Sequence, residues 1–231
     1  MVEKVAATNR AELWRERLTL PAYLVGEAAR YADLSPQTVS AWHKVEKKVL
    51  SKKDTGVKLS YLQLIEVAVV AAFRKAKVPL REIRAARDYM REQLNSKYPF
   101  AEHKFKLYGK SLFTTYVESG HAHLLKANQA GQLGWEEILG PVLKEFEYDD
   151  GGGVAIRWHV AGEHSPVVID PRISFGAPSV NGTPTWIIKG RFEAGESDSE
   201  IAEDFNLNVP AVREALKFEG LSGSSKSKWM H

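Results

Sequence analysis

Residues 60–77 read as a helix that is apolar on almost every face. Such a helix is stable only inside a protein or a bilayer. Its longest apolar stretch, Tyr61 to Phe73, contains Gln63 and Glu66 and is shorter than the roughly 20 residues a membrane span needs. It therefore belongs to a protein interior, and no membrane partner is expected. The 231 residues can supply that interior, since 44% are hydrophobic and 26% charged, close to the soluble globular average. The length suits one large domain or two small ones. Cysteine is absent, which excludes disulfides, thiolate metal sites and cysteine nucleophiles. No apolar signal core opens the chain, and a cytoplasmic location is the expectation.

The net charge of +3 hides an asymmetry. Residues 1–110 hold 22 Lys+Arg against 12 Asp+Glu, whereas residues 111–231 hold 10 against 17. A basic segment favours polyanions such as nucleic acid, and an acidic one does not. Two modules with different partners are the expectation.

Turn and cap residues divide the chain. Residues 1–18 form a polar, helix-prone arm and 20–44 two short helices. Residues 45–58 form a lysine-rich loop and 79–95 a helix with Ile83, Ala86 and Met90 inside. Phe105 and Leu107, then Leu112 and Phe113, suggest two short strands around Tyr108-Gly109-Lys110. A helix is expected over 135–144. Glu145–Tyr148 and Val154–Val160 flank a glycine-rich turn, a hairpin signal. Val167–Ile169 suggests another strand, 197–205 and 209–219 two more helices, and 222–231 a free polar tail. The fold class is α+β, mainly helical.

The strongest local signal is Tyr23–Lys44. Val25, Ala28 and Ala29 give the first helix a small apolar face. Asp33 occupies the turn, where a left-handed conformation is tolerated by Asp. Ser35 is a good N-cap and Pro36 a good first helical residue. Val39 and Trp42 anchor the second helix. Gln37, Thr38, Ser40, Ala41, His43 and Lys44 are left facing outward, short polar groups suited to a major groove.

These residues resemble the MerR family of winged-helix regulators, through Gly26-Glu27-Ala28-Ala29, Leu34-Ser35-Pro36 and Thr38-Val39-Ser40-Ala41-Trp42. Asp33 stands where that family has a turn glycine, and Ser40 where it has an arginine. The resemblance spans roughly residues 20–95. It implies DNA binding through Ser35, Gln37, Thr38, Ser40, His43 and Lys44, with a wing carrying Lys47, Lys48, Lys52, Lys53 and Lys58. Such motifs read paired half-sites as dimers.

Farther on, Asp170-Pro171 and Asn181-Gly182 punctuate a turn-rich stretch. Ser197 with Glu200 makes a capping box, and Asn208 caps a last helix with Pro210 in its first turn. Asp170-Pro171, Ile173, Gly176, Gly182-Thr183, Ile201-Ala202-Glu203-Asp204-Phe205 and Val212-Arg213 resemble the small domain of unknown function found in VapB-type antitoxins. Pro184 replaces that family's arginine. The likeness covers roughly 165–219 and implies an antitoxin that neutralises a PIN-domain-like ribonuclease and represses its own operon. The acidic residues of 193–204 favour a protein contact over DNA for this second helix pair.

His121 and His123 lack a partner at metal spacing, Asp149-Asp150 read as turn residues, and Trp14, Trp42, Trp135, Trp158 and Trp186 as core anchors. No catalytic, metal or cofactor site is expected, and no toxin-contact residue is assigned. The expected organisation is a winged helix-turn-helix (1–98), a β-rich α/β middle region (99–165), a helical antitoxin-type module (166–221) and the tail (222–231). The expected function is a homodimeric antitoxin that binds operator DNA and a toxin. The rival is a MerR-like regulator whose second half senses a ligand or dimerises.

Overall fold

The computed structural model describes residues 14–44, 50, 58–118, 137–149 and 153–221. Two compact units divide the chain, Met1–Ile156 and Arg157–His231. Among the described residues no helix is long and apolar enough to cross a membrane. The tail beyond 221, His121, His123, Trp135 and Lys47, Lys48, Lys52 and Lys53 lie outside them.

In the first unit, β1 (Tyr23–Leu24) pairs antiparallel with β2 (Lys58–Leu59). Between them lie α1 (Val25–Tyr31) and α2 (Pro36–Trp42). Next comes α3 (Tyr61–Lys75), the apolar helix, and its residues from Tyr61 to Val70 are all buried. A reciprocal cap starts it: Ser60 Oγ accepts from the Gln63 N–H at 3.3 Å, and Gln63 Oε1 accepts from the Ser60 N–H at 3.0 Å. Helix α4 (Leu80–Leu94) begins after Pro79 and stops at Asn95, which is left-handed with φ 48°. Ile83, Ala86 and Met90 face inward as expected.

Glu66 on α3 and Arg87 on α4 are both buried and meet in a two-pronged ion pair. Arg87 Nε donates to Glu66 Oε1 at 3.1 Å, and Nη2 donates to Oε2 at 2.8 Å. Arg87 Nη2 also donates to the Lys97 carbonyl at 2.9 Å. Burial pushes the Glu66 carboxyl above its usual range, against the opposing pull of Arg87 and a backbone bond from Phe100.

The two strands expected around Tyr108-Gly109-Lys110 do not form. Residues His103–Glu118 are one helix, α5. Phe105 and Gly109, one helical turn apart, are buried, whereas Leu107 and Tyr108 are each 57% exposed. The inward period is therefore that of a helix, and the alternating apolar pairs were a poor guide. Helix α6 (Gly140–Lys144) lies within the helix expected over 135–144. Then β3 (Phe146–Tyr148) and β4 (Ala155–His159) form as the hairpin signal implied, with the turn residues 150–152 outside the described set.

Strands β3 to β7 stand in sequence order in a five-stranded antiparallel sheet. In the second unit the end of β4 pairs with β5 (Val167–Ile169), β5 with β6 (Ser179–Val180), and β6 with β7 (Thr183–Pro184). Asn181 (φ 47°) and Gly182 (φ 85°) make the two-residue turn between β6 and β7. Two successive left-handed residues match the twist of a tight hairpin. Three helices follow: α7 (Thr185–Glu193), α8 (Asp198–Asp204) and α9 (Val209–Phe218). The core gathers Val167, Val180, Ile188, Ile201, Val212 and Leu216.

Trp42 and Trp158 are buried as expected, but Trp186 is 62% exposed. On α7 the buried residues are Thr185 and Ile188, three apart, and Trp186 lies off that stripe. Just after β5, buried Asp170 accepts from Arg172 through its backbone N–H (2.9 Å), Nε (2.9 Å) and Nη2 (2.7 Å). Arg157 Nε donates to it at 3.2 Å. Burial pushes the Asp170 carboxyl up, but the Arg172 bonds and the charges of Arg172 and Arg157 outweigh it and hold it below its usual range.

Candidate nucleic-acid interface

Helices α1 and α2 are joined by a turn whose geometry is set locally. Glu27 closes the start of α1 by accepting from the Leu24 N–H at 2.7 Å. Asp33 is left-handed (φ 54°), as the sequence required. The Leu34 N–H then reaches back to the Ala29 carbonyl at 2.8 Å. Ser35 Oγ accepts from the Thr38 N–H at 3.2 Å and shares a hydrogen bond of 2.9 Å with the Thr38 hydroxyl. Pro36 occupies the first helical turn. Buried Ala28 and Ala29 face buried Val39 and Trp42, so small side chains let the two helices cross closely.

Glycine adopts the conformation of residue 33 at less cost than any other residue. Asp33→Gly is expected to keep or raise thermal stability by up to about 1 kcal/mol, and Asp33→Val to lower it by about as much or more. Thermal melts of both variants check this. A valine variant as stable as the parent would show that the turn does not demand φ > 0.

The outward face of α2 is as expected with one correction. Ser35, Gln37, Ala41 and Lys44 are exposed, and Thr38 and Ser40 are half-buried. His43, expected to face outward, is only 4% exposed. It follows Val39 and Trp42 at the i, i+3, i+4 spacing of the inward stripe, a signal already present in the sequence. Lys58 is exposed, and it stands in β2 opposite Leu24, at the base of a two-stranded ribbon. The structure thus brings Ser35, Gln37, Thr38 and Ser40 together along one short helix and its N-cap, with Lys44 just past the helix end.

The second helix pair is built the same way. Ser197 and Glu200 form the expected capping box, with the Ser197 N–H donating to Glu200 at 2.8 Å. That bond holds the Glu200 carboxyl below its usual range. Asn206 is left-handed (φ 50°). Asn208 Oδ1 accepts from the Ala211 N–H at 2.8 Å, and Pro210 lies in the first turn of α9.

The acidic residues here are engaged locally, which the sequence did not disclose. Arg213 Nε donates to Asp198 at 2.7 Å. Arg191 bonds Glu196 and, at 2.5 Å, Asp204, and these two carboxylates raise its already high pKa. Lys189 stands 3.9 Å from Glu193. Lys189 and Glu193 are four apart on one helix, a pairing local spacing shows, whereas Arg191–Asp204 and Arg213–Asp198 join residues 13 and 15 apart. Among the described residues no group of three or more His, Asp or Glu side chains is placed to hold a metal ion.

Residues 167–218 match the model of a family described as a protein of unknown function, DUF433. The chain is also similar to a Mycobacterium tuberculosis (strain ATCC 25618 / H37Rv) protein named "Putative antitoxin VapB45". The identity is 23% over 227 residues, covering 87% of this chain and 94% of that one. Among solved structures, the X-ray crystal structure of Rv2018 from Mycobacterium tuberculosis has the same fold. Its TM-score is 0.72 at 22% identity, covering 87% of this chain and 99% of that one.

Proposed function

We propose that the chain is the antitoxin of a type II toxin–antitoxin pair. It binds operator DNA through α1 and α2, represses its own synthesis and neutralises a PIN-domain-like ribonuclease. The observation that carries the DNA reading is the outward face of α2. Gln37 and Ala41 are exposed on a helix anchored by its cap and by buried Val39 and Trp42, and Lys44 is exposed just past its end. That helix sits within the 110 residues that hold 22 Lys+Arg against 12 Asp+Glu. The antitoxin reading is supported by the similarity over 227 residues to a protein named as an antitoxin.

In this reading the helix pair is the MerR-like head of a winged helix-turn-helix. Lys47, Lys48, Lys52 and Lys53 supply phosphate contacts from the wing, and Lys58 stands at its base. The protein binds as a homodimer on paired half-sites, and it acts by binding rather than by catalysis.

Gel shifts on a duplex from the region upstream of the protein's own gene test the DNA half. Reversing Lys52 and Lys53 to Glu is expected to weaken binding roughly a hundredfold. It should also lower the salt slope by about two, near one unit for each lost phosphate contact. An unchanged affinity and slope would remove the wing from the mechanism. Co-expression with the product of the adjacent gene tests the antitoxin half. A co-purifying complex and relief of growth arrest are expected, and the absence of both would defeat it.

A further inference from the structure

The two helix pairs are copies of one motif. Each residue of 24–44 has a counterpart at the same spacing in 197–217. Glu27, Ala29, Leu34, Val39 and Lys44 recur unchanged as Glu200, Ala202, Leu207, Val212 and Lys217. The geometry recurs with them. Glu27 and Glu200 each cap the start of the first helix. Asp33 (φ 54°) and Asn206 (φ 50°) are both left-handed. The next N–H, of Leu34 or Leu207, bonds the carbonyl of Ala29 or Ala202 at 2.8 Å in both copies. Ser35 and Asn208 cap the second helix, each accepting from the N–H three residues on.

We infer that the second helix pair is also a DNA-reading head, with α9 as its groove-facing helix and Arg213 and Lys217 as its contacts to duplex DNA. On the outward face of α9, Pro210, Arg213 and Lys217 are exposed at the positions of Gln37, Ser40 and Lys44. The half-buried Ser40 thus has an exposed arginine as its counterpart, the side chain best suited to a guanine edge or a phosphate. Asn206 and Asn208 are exposed in the turn beside it.

The acidity of this part of the chain opposes DNA less than its composition implies. Residues 157–231 hold 8 Lys+Arg and 10 Asp+Glu, and most of the net negative charge after residue 110 lies in 111–156 instead. Within the helix pair, Asp198 is held by Arg213, Glu196 and Asp204 by Arg191, and Glu200 by the Ser197 backbone. The arginines offset the charge of Asp198, Glu196 and Asp204, which reduces their repulsion of a phosphate backbone, while Glu200 stays ionised.

The inference rests on the DNA-binding reading above only for the choice of probe. Full-length protein is footprinted and titrated on the duplex upstream of its own gene and on a random duplex of equal length. Arg213→Ala with Lys217→Ala is expected to lower affinity for the upstream duplex about ten- to a hundredfold. It should also lower the salt slope by about one to two and erase part of the footprint. Arg213→Lys should recover part of the loss. Lys217→Glu leaves the Arg213–Asp198 pair in place and breaks only an exposed pair with Glu214 at 3.6 Å, so it should still weaken binding with little change in thermal stability.

Gln37→Ala with Lys44→Ala tests the first head separately. Binding lost there but unchanged in the Arg213/Lys217 and Lys217→Glu variants would overturn this inference and keep the first reading. The reverse pattern would overturn the first reading and keep this one. A change in oligomeric state without any change in DNA affinity would also overturn it, in favour of a protein contact. Failure of the parent protein to bind either duplex would overturn both.

Discussion

Replacing Arg87 by methionine is expected to destabilise the first unit by about 3–5 kcal/mol, the usual cost of leaving a buried charge without its partner. For a unit of this size that is a fall of about 10 °C in its melting temperature. Glu66 is fully buried, and Arg87 supplies both prongs of its ion pair. Removing the guanidinium also strips the Lys97 carbonyl of a donor. The sign of the pH dependence follows from the raised Glu66 pKa. A carboxyl whose folded pKa lies above its unfolded value favours folding while protonated, and that contribution is lost as pH rises through the folded value. Without Arg87 the shift grows, so the variant's deficit is largest at neutral pH and shrinks on mild acidification. The double variant Glu66→Leu with Arg87→Met removes both charges and should regain most of the loss. Melts of the single and double variants at pH 5 and 7 decide the matter. A single variant as stable as the parent at neutral pH would mean the pair is not what joins α3 to α4.

Asp170→Ala is the corresponding lesion in the second unit, with an expected loss of about 2–4 kcal/mol. The figure is discounted because Arg157 and Arg172 keep about a third of their side-chain surface exposed, and water can partly replace the carboxylate for them. The Arg172 N–H also loses its acceptor. Here the pH dependence has the opposite sign. The folded Asp170 pKa is lowered, so its contribution is complete above the unfolded value of about 3.9. It is lost as pH falls through the lower folded value. Parent and variant should therefore differ at neutral pH and converge in strong acid. A constant difference down to pH 2 would assign the loss to packing rather than charge. In a chain of two units these substitutions should move separate portions of an unfolding trace, which is not bound to be two-state.

Much of the helical architecture is legible in caps and turns. Ser35, Ser197 with Glu200, and Asn208 mark helix starts through hydrogen bonds made within three residues. Asp33 and Asn95 mark reversals through a backbone angle most side chains avoid. What escaped was non-local or ambiguous in period. Glu66 and Arg87 are 21 residues apart in sequence and meet only once α3 and α4 pack. Asp170 lies 13 residues from Arg157. Phe105 with Leu107 mimics a strand, although the buried partner of Phe105 is Gly109, which has no side chain to display a helical stripe. The size of Trp186 suggests the interior and the polarity of His43 the surface, and the structure reverses both. Direction around a helix, not residue type, decides burial. Of the α2 face, every other residue named from the sequence does lie on the exposed or half-buried side.

On the proposed DNA-binding reading, the repeated turn bears on the symmetry of the operator. A homodimer with one head per subunit asks its operator to be an inverted repeat, because two identical surfaces meet two identical half-sites. With two unlike heads on each subunit, that demand falls on the half-site as a whole and not on the two words within it. One head presents Gln37, Ser40 and Lys44, the other Pro210, Arg213 and Lys217. Side chains so different would select different base edges if both heads enter a groove. If both heads bind as proposed, each half-site of the homodimer is a composite of two unrelated words, and the inverted repeat relates the composites rather than the words within one.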